Sequence, residues 1–279
     1  MKVLWGAAFL SASPHFPVYY KGGLPLIDQK ALAYVNAYGV LRCLENVCDL
    51  VPEAKAVCAK MKTPVAFCVD VKNGPCVTYK FDRNGCVFSE GDAEATCKMT
   101  FASPKTFNNL INNSTPGIPT KNPVQCLKFL LGPFTKLTNI MSKYLQPSEA
   151  DLKDPEFFRL NTILTMYVIG GAIPALANND EISKISAAGI VDGTIQMGIK
   201  DAVYVTIVCK DHKLSLIKEK PENPRAIMEF SSIELANGLF NGTVSTIAEL
   251  CAGNIKMSGM INMLDNINRI LDRVSVYLA

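Results

Sequence analysis

The chain has 279 residues and a mass of 30.4 kDa, long enough for two domains of ordinary size and for a buried core that needs neither metal nor disulfide staples. Hydrophobic residues make up 49% and charged residues 19%, with a mean hydropathy of +0.17, which excludes a disordered chain and implies an unusually apolar interior. The 28 Lys and Arg stand against 25 Asp and Glu, a balance too even and dispersed for the basic footprint that nucleic acid selects, so nucleic acid is not an expected partner.

An N-terminal arm, residues 1–25, carries Lys2 ahead of an apolar run, 3–10, and the small residues Ser11, Ala12 and Ser13. One charge and a short apolar run fall below an ordinary signal peptide, so the expected location is cytoplasmic; secretion is the alternative if residues 1–13 act as a signal peptide. Apolar residues then recur at steps of three and four, Ala31, Val35, Tyr38, Leu41, Leu44 and Val47, and predict a helix whose charges Arg42, Glu45 and Asp49 face solvent. Strands follow at 65–71, 77–81 and 86–88, with the Asn84-Gly85 signal of a tight hairpin between the last two. A further strand, 97–101, runs into a helix with Ser103 as its N-cap, and a helix bearing Phe134, Leu137, Ile140, Met141 and Tyr144 closes this part.

Residues 160–179 carry no charge and are long enough to span a bilayer as a helix. Asn161, Thr162, Thr165, Gly170-Gly171 and Pro174 lower its hydrophobicity, and a buried helix is the expectation. Strands are predicted at 194–199, 203–209 and 214–217, turning at Asp211-His212-Lys213, then at 227–230 before a helix capped by Ser232 with Glu234 in its first turn. The last helix presents Met260, Met263, Leu264, Ile267, Ile270, Leu271 and Val274 as one stripe.

These parts are copies. Met99, Phe101, Ser103, Asn108 and Leu110 match Met228, Phe230, Ser232, Asn237 and Leu239, each pair 129 apart, and the same offset sets Asp82 on Asp211 and Glu90 on Glu219. The expected organisation is the arm 1–25, a divergent unit at 26–147 and a second unit at 155–279. The order helix, strands, helix, helix gives an α+β fold of two repeated units, each an antiparallel-dominated sheet covered on one face by helices. Ten cysteines, eight of them between Cys43 and Cys126, form no CxxC, and only His15 and His212 accompany them, so no metal site is expected and buried free thiols are favoured.

From residue 227 onward, through ELANGLFNGTVSTIAELCAGNIKMSGMINMLDNINRIL, the second copy resembles the C-terminal half of the sterol carrier protein type 2 domain. The resemblance rests on the Leu239-Phe240-Asn241-Gly242 turn, on a short strand bracketed by Gly253 and Gly259, and on the terminal apolar helix. The first copy departs from it, with Gly132 set against Gly259 only after a shift and Cys126 in the place of Gly253. The resemblance implies a non-enzymatic protein that takes a sterol, fatty acid or acyl-CoA into an apolar tunnel without metal or cofactor. The tunnel wall would comprise Met257, Met260, Met263, Leu264, Ile267 and Leu271, flanked by Leu239 and Phe240; methionines suit it because they adapt to irregular apolar shapes. The implied partners are a hydrophobic small molecule and, transiently, a membrane. The alternative is a structural or interaction module with filled cores and no ligand.

Other chemistry has little support. GxGxxG is absent, and Ser215-Leu216-Ile217-Lys218 matches SxxK only within a predicted strand, where Ser215 and Lys218 point to opposite faces. His15 in a Pro-rich arm and His212 in a turn suggest no catalytic cleft, and an enzyme built on one of the thiols is the weakest reading. Asn113-Ser114-Thr115 and Asn241-Gly242-Thr243 are glycosylation sequons, relevant only to a secreted chain.

Overall fold

A computed structural model describes residues 27–111 and 119–279; the arm with its apolar run and His15, and the sequon at Asn113, lie outside the described residues. The first copy runs through α1 (Gln29–Val35), a π-helical turn (Asn36–Leu41), α2 (Cys43–Leu50), α3 (Pro52–Ala59), β1 (Val65–Val71), β2 (Cys76–Asp82), β3 (Gly85–Glu90), β4 (Cys97–Phe101) and α4 (Pro104–Ile111). It continues through β5 (Pro119–Lys121), α5 (Pro123–Phe129), a second π turn (Leu130–Phe134), α6 (Thr135–Leu145) and a short 3-10 turn (Asp151–Lys153). The second copy follows as α7 (Pro155–Asn179), α8 (Glu181–Ala188), β6 (Gly193–Ile199), β7 (Val203–Lys210), β8 (Lys213–Ile217), β9 (Ala226–Phe230), α9 (Ile233–Phe240), α10 (Thr246–Cys251), β10 (Ile255–Gly259) and α11 (Ile261–Leu278).

Each copy contributes a five-stranded mixed sheet of one topology. An antiparallel meander, β1 to β3, is joined by β4 parallel to β1, and β5 adds antiparallel at the far edge, giving the order β3-β2-β1-β4-β5. The second sheet repeats this as β8-β7-β6-β9-β10. The expected α+β fold of two repeated units is therefore present. Among the described residues, unit 1 comprises Leu32–Leu164 and unit 2 comprises Thr165–Ala279 with residues 27–31, so the division falls inside α7.

Local chemistry accounts for the element ends. Asp211 and His212 both adopt left-handed backbone (φ 51 and 59), which fits a two-residue hairpin between β7 and β8. Ser232 accepts a hydrogen bond from the Leu235 amide at 3.2 Å, and Ser103 from that of Thr106 at 3.3 Å, as N-caps do. The π turns were not foreseen. In the first, the buried Tyr79 hydroxyl donates to the Ala37 carbonyl at 2.6 Å, drawing that acceptor to a side chain; in the second, Pro133 has no N–H to give the helix ladder.

Three readings of the sequence need correction. The offset of 129 holds for α3 on α8 and for β4 on β9, but the meander is displaced by one residue: Val69 pairs with Met99 where Met197 pairs with Met228. Thr78 and Thr206 mark the true correspondence, each donating its hydroxyl to a carbonyl 13 residues on, Gly91 and Glu219. Asp82 therefore corresponds to Lys210 and not to Asp211, because the loops on either side of the meander absorb a residue. Arg42 and Glu45 are paired with each other at 3.2 Å and half-buried, and Glu45 also accepts from the Phe88 amide of edge strand β3; only Asp49 is exposed. Two of the thiols expected to be free, Cys97 and Cys126, form a disulfide, since the inner face of β4 and the buried face of α5 bring their Cα atoms to 5.2 Å.

α7 is long and apolar enough to cross a membrane by length and composition, and 94% of its most apolar stretch is buried inside the protein. Gly170 explains part of its packing in unit 2: a Cβ there would stand 3.3 Å from the Val205 methyls and 3.4 Å from Leu216, so glycine lets the helix rest directly on β7 and β8.

Candidate functional site

In unit 2 the inner face of the sheet is built from alternate residues of adjacent strands. One row reads Ile255, Phe230, Ile199, Val203; the next Met257, Met228, Met197, Val205; the third Gly259, Ala226, Ile195, Ile207. The middle row sets three methionines side by side across β10, β9 and β6. Met197 and Met228 are buried, while Met257, on the edge strand, is half-buried. α11 covers this face with Met263, Leu264, Ile267, Ile270, Leu271 and Val274, all buried, and α9 adds Phe240, whose ring meets Phe230 edge-on at 6.0 Å.

Of the eight residues expected to wall a tunnel, Leu239, Phe240, Met263, Leu264, Ile267 and Leu271 are buried in this layer, and Met257 and Met260 lie half-buried where β10 turns into α11. The turn depends on Gly259, which sits at φ 90, and a Cβ there would come within 2.2 Å of the Arg225 carbonyl oxygen. The same carbonyl accepts from the Met260 amide at 2.8 Å and so fixes the start of α11. At this junction Ile261 is exposed, and α10, which packs on β10 and buries none of its residues, exposes Ile247 and Leu250.

Met197 and Met228, which align with the expected wall residue Met257, are absent from the residues expected from sequence. Strand alternation alone turns both inward, but only the pairing of β6, β9 and β10, which joins residues far apart in sequence, lines them up with Met257.

The far end of α11 is held by a buried polar network. Asp180, the N-cap of α8, accepts from the Ser183 amide (3.0 Å) and hydroxyl (2.8 Å), from Arg273 Nε (3.2 Å) and Nη2 (3.1 Å), and from the Tyr277 hydroxyl (2.8 Å). Tyr277 in turn accepts from the Asp28 amide at 3.1 Å. Burial pulls the Asp180 pKa up, but the bonds from Arg273, Ser183 and Tyr277 outweigh it and hold the carboxyl below its usual range. Burial and the bond to Asp180 push Tyr277 up to about 12.

Unit 1 fills the corresponding space differently. Phe67, Phe81, Phe129 and Phe134 form a closed cluster with ring centroids 5.2 to 6.2 Å apart. Where the second copy turns at Gly259, the first places Asn122 directly after β5 in left-handed backbone (φ 48), its Nδ2 donating to the Thr96 carbonyl at 2.7 Å. The expected match of Gly132 to Gly259 is therefore replaced: Gly132 lies in the second π turn, and Cys126 lies in α5. A hollow of about 470 Å³ opens at the start of α5, lined by Asn122, Pro123, Val124, Gln125 and Lys128, and none of the eight expected residues borders it.

The free thiols are mostly buried. A hydrogen bond to Cys58 and burial push Cys48 up, and the same bond lowers Cys58, which is 1% exposed; burial pushes Cys68 up to about 12. Among the described residues no three His, Cys, Asp or Glu side chains group to hold a metal ion.

No family model matches the sequence, and neither does any curated protein. Among solved structures the chain is similar to a UbiJ-SCP2 ubiquinone synthesis protein, at 12% identity and a TM-score of 0.29 over 39% of this chain and 96% of that one. It is similar also to the sterol carrier protein domain 2 of Helicoverpa armigera, at 20% identity and a TM-score of 0.32 over 44% and 92%. Sterol Carrier Protein 2 Like 2 from Aedes aegypti aligns at 19% identity and a TM-score of 0.23 over 32% and 91%.

Proposed function

We propose that unit 2 binds an apolar small molecule of the sterol, fatty acid or acyl-CoA class and carries it without catalysing a reaction on it. The observation that supports this reading is the methionine row, Met197, Met228 and Met257, which crosses three strands and ends at the half-buried Met257, close in the chain to the half-buried Met260 at the junction of β10 and α11. Unbranched thioether side chains can shift rotamer to admit a guest at little cost, which a row of β-branched residues could not do. The driving force would be removal of ligand apolar surface from water, about 25 cal/mol per Å² before ordering costs. Unit 1 we assign to the second reading, a packed module without ligand, because four phenylalanine rings in mutual contact fill its interior beside the row that corresponds to the methionines.

Titration with a fluorescent fatty acid tests the assignment. Saturable uptake by the wild type, abolished by Met260→Trp with thermal unfolding unchanged, supports it. Uptake that survives Met260→Trp, or a panel of fatty acids, acyl-CoA and sterol that gives none, refutes it.

A further inference from the structure

The continuous helical segment from α5 through the second π turn to α6 in unit 1, residues 123–145, has a face that the core does not use. Val124, Leu127 and Leu131, spaced three and four residues apart, are 68%, 49% and 73% exposed. Isolated exposed leucines need no explanation, but three on consecutive turns form a stripe. The hollow at the start of α5 opens on the same stripe, since Val124 and Lys128 line it.

The sequence that contains the stripe carries charge of one sign. From Ala95 to Ser148 the chain carries six lysines, Lys98, Lys105, Lys121, Lys128, Lys136 and Lys143, and neither Asp nor Glu, whereas the remainder is net acidic. Lys128 projects beside the stripe and Lys136 follows two turns on; both are exposed, and neither is ion-paired among the described residues. The last helix of unit 2 lacks this pattern: α11 mixes Asp265 and Asp272 with Arg269 and Arg273 and buries its apolar side.

We propose that this face of unit 1 docks on the surface of a bilayer containing anionic phospholipid, with Val124, Leu127 and Leu131 entering the headgroup boundary and Lys128 and Lys136 lying against lipid phosphates. An exposed apolar stripe on a helix that carries lysines and no acid of its own matches such a surface in both polarity and charge. The absence of carboxylates from the helix itself matters as much as the presence of lysines, since an acidic side chain there would be repelled by the same lipids. The proposal does not depend on cargo binding by unit 2, and its test reads vesicles alone.

The experiment is co-sedimentation of the full chain with phosphatidylcholine vesicles that contain either no phosphatidylserine or about a third of it. Binding is expected only to the second, weakening as salt rises. Leu131→Asp should abolish it, and Lys128→Glu should weaken it by at least about fivefold, the effect of losing one lysine near a charged surface. Ile185→Asp, at an equally exposed position on α8, should leave it unchanged. Circular dichroism checks that each variant is folded, and Lys128→Glu, a substitution between exposed polar residues, serves if Leu131→Asp is not. Equal binding to both vesicle types, no binding to either, or binding indifferent to both substitutions would overturn the proposal. So would a wild type that sediments as a dimer and becomes monomeric in Leu131→Asp without ever binding vesicles, which would make the stripe a contact with a second copy.

Discussion

Units 1 and 2 share a strand order but not an interior. Where unit 1 sets Phe67 and Phe81 on its meander and Phe129 on its last helix, unit 2 has Ile195, Cys209 and Ile267 at the corresponding positions, and where unit 1 bridges Cys97 to Cys126, unit 2 has Ala226 and Leu264. The second copy places α10 ahead of its edge strand and pairs Met228 with Met257, while the equivalent Met99 pairs with Pro119. One copy is thus stapled and packed with rings; the other is lined by aliphatic side chains with a row of three methionines and tied at one end by Asp180, Arg273 and Tyr277. The two units repeat one frame and differ in the side chains that fill it.

The comparison is broken most easily in unit 1. Phe81→Ala removes a fully buried ring that touches two others and should cost about 3–5 kcal/mol, read as a lower urea midpoint. Replacing the disulfide by Cys97→Ala with Cys126→Ala reopens a separation of 29 residues and should cost about 3 kcal/mol, without changing ligand uptake by unit 2.

In unit 2, Arg273→Met leaves Asp180 buried without its bidentate partner and should cost about 3 kcal/mol at neutral pH. The same network predicts a pH dependence. Because the folded Asp180 pKa lies below the unfolded value, its contribution is fully present above the unfolded carboxylate pKa and is lost as pH falls through the folded one. Urea midpoints should therefore hold steady from neutral pH down to about 5 and fall below about 4, and Asp180→Asn should lower the plateau and flatten that fall. The smallest effect is expected for Met228→Leu, a change of similar volume costing under about 1.5 kcal/mol, which should nonetheless weaken uptake of bulky ligands because rotamer freedom is lost.

Much of this architecture could be read before any coordinates. Alternation and β-branched residues located the meanders, Ser103 and Ser232 marked helix starts, and the duplication emerged from matches such as Met99 with Met228. What escaped depends on non-local geometry. Strand pairing aligned Met197 and Met228 with Met257; the bond between Asp180 and Arg273 spans 93 positions; and irregular cysteine spacing gave no sign that Cys97 faces Cys126. A one-residue slip in the meander was invisible because alternation repeats every two residues and the flanking loops carry no pattern of their own. Of the candidate site, the stripe on α11 was legible and the sheet opposite it was not.

Native mass spectrometry of the full chain with a long-chain fatty acid tests the division between the units most directly. The account predicts one bound molecule per chain for the wild type and none for a folded Met257→Trp variant. Two molecules on the wild type, none at all, or one retained after Met257→Trp would contradict it.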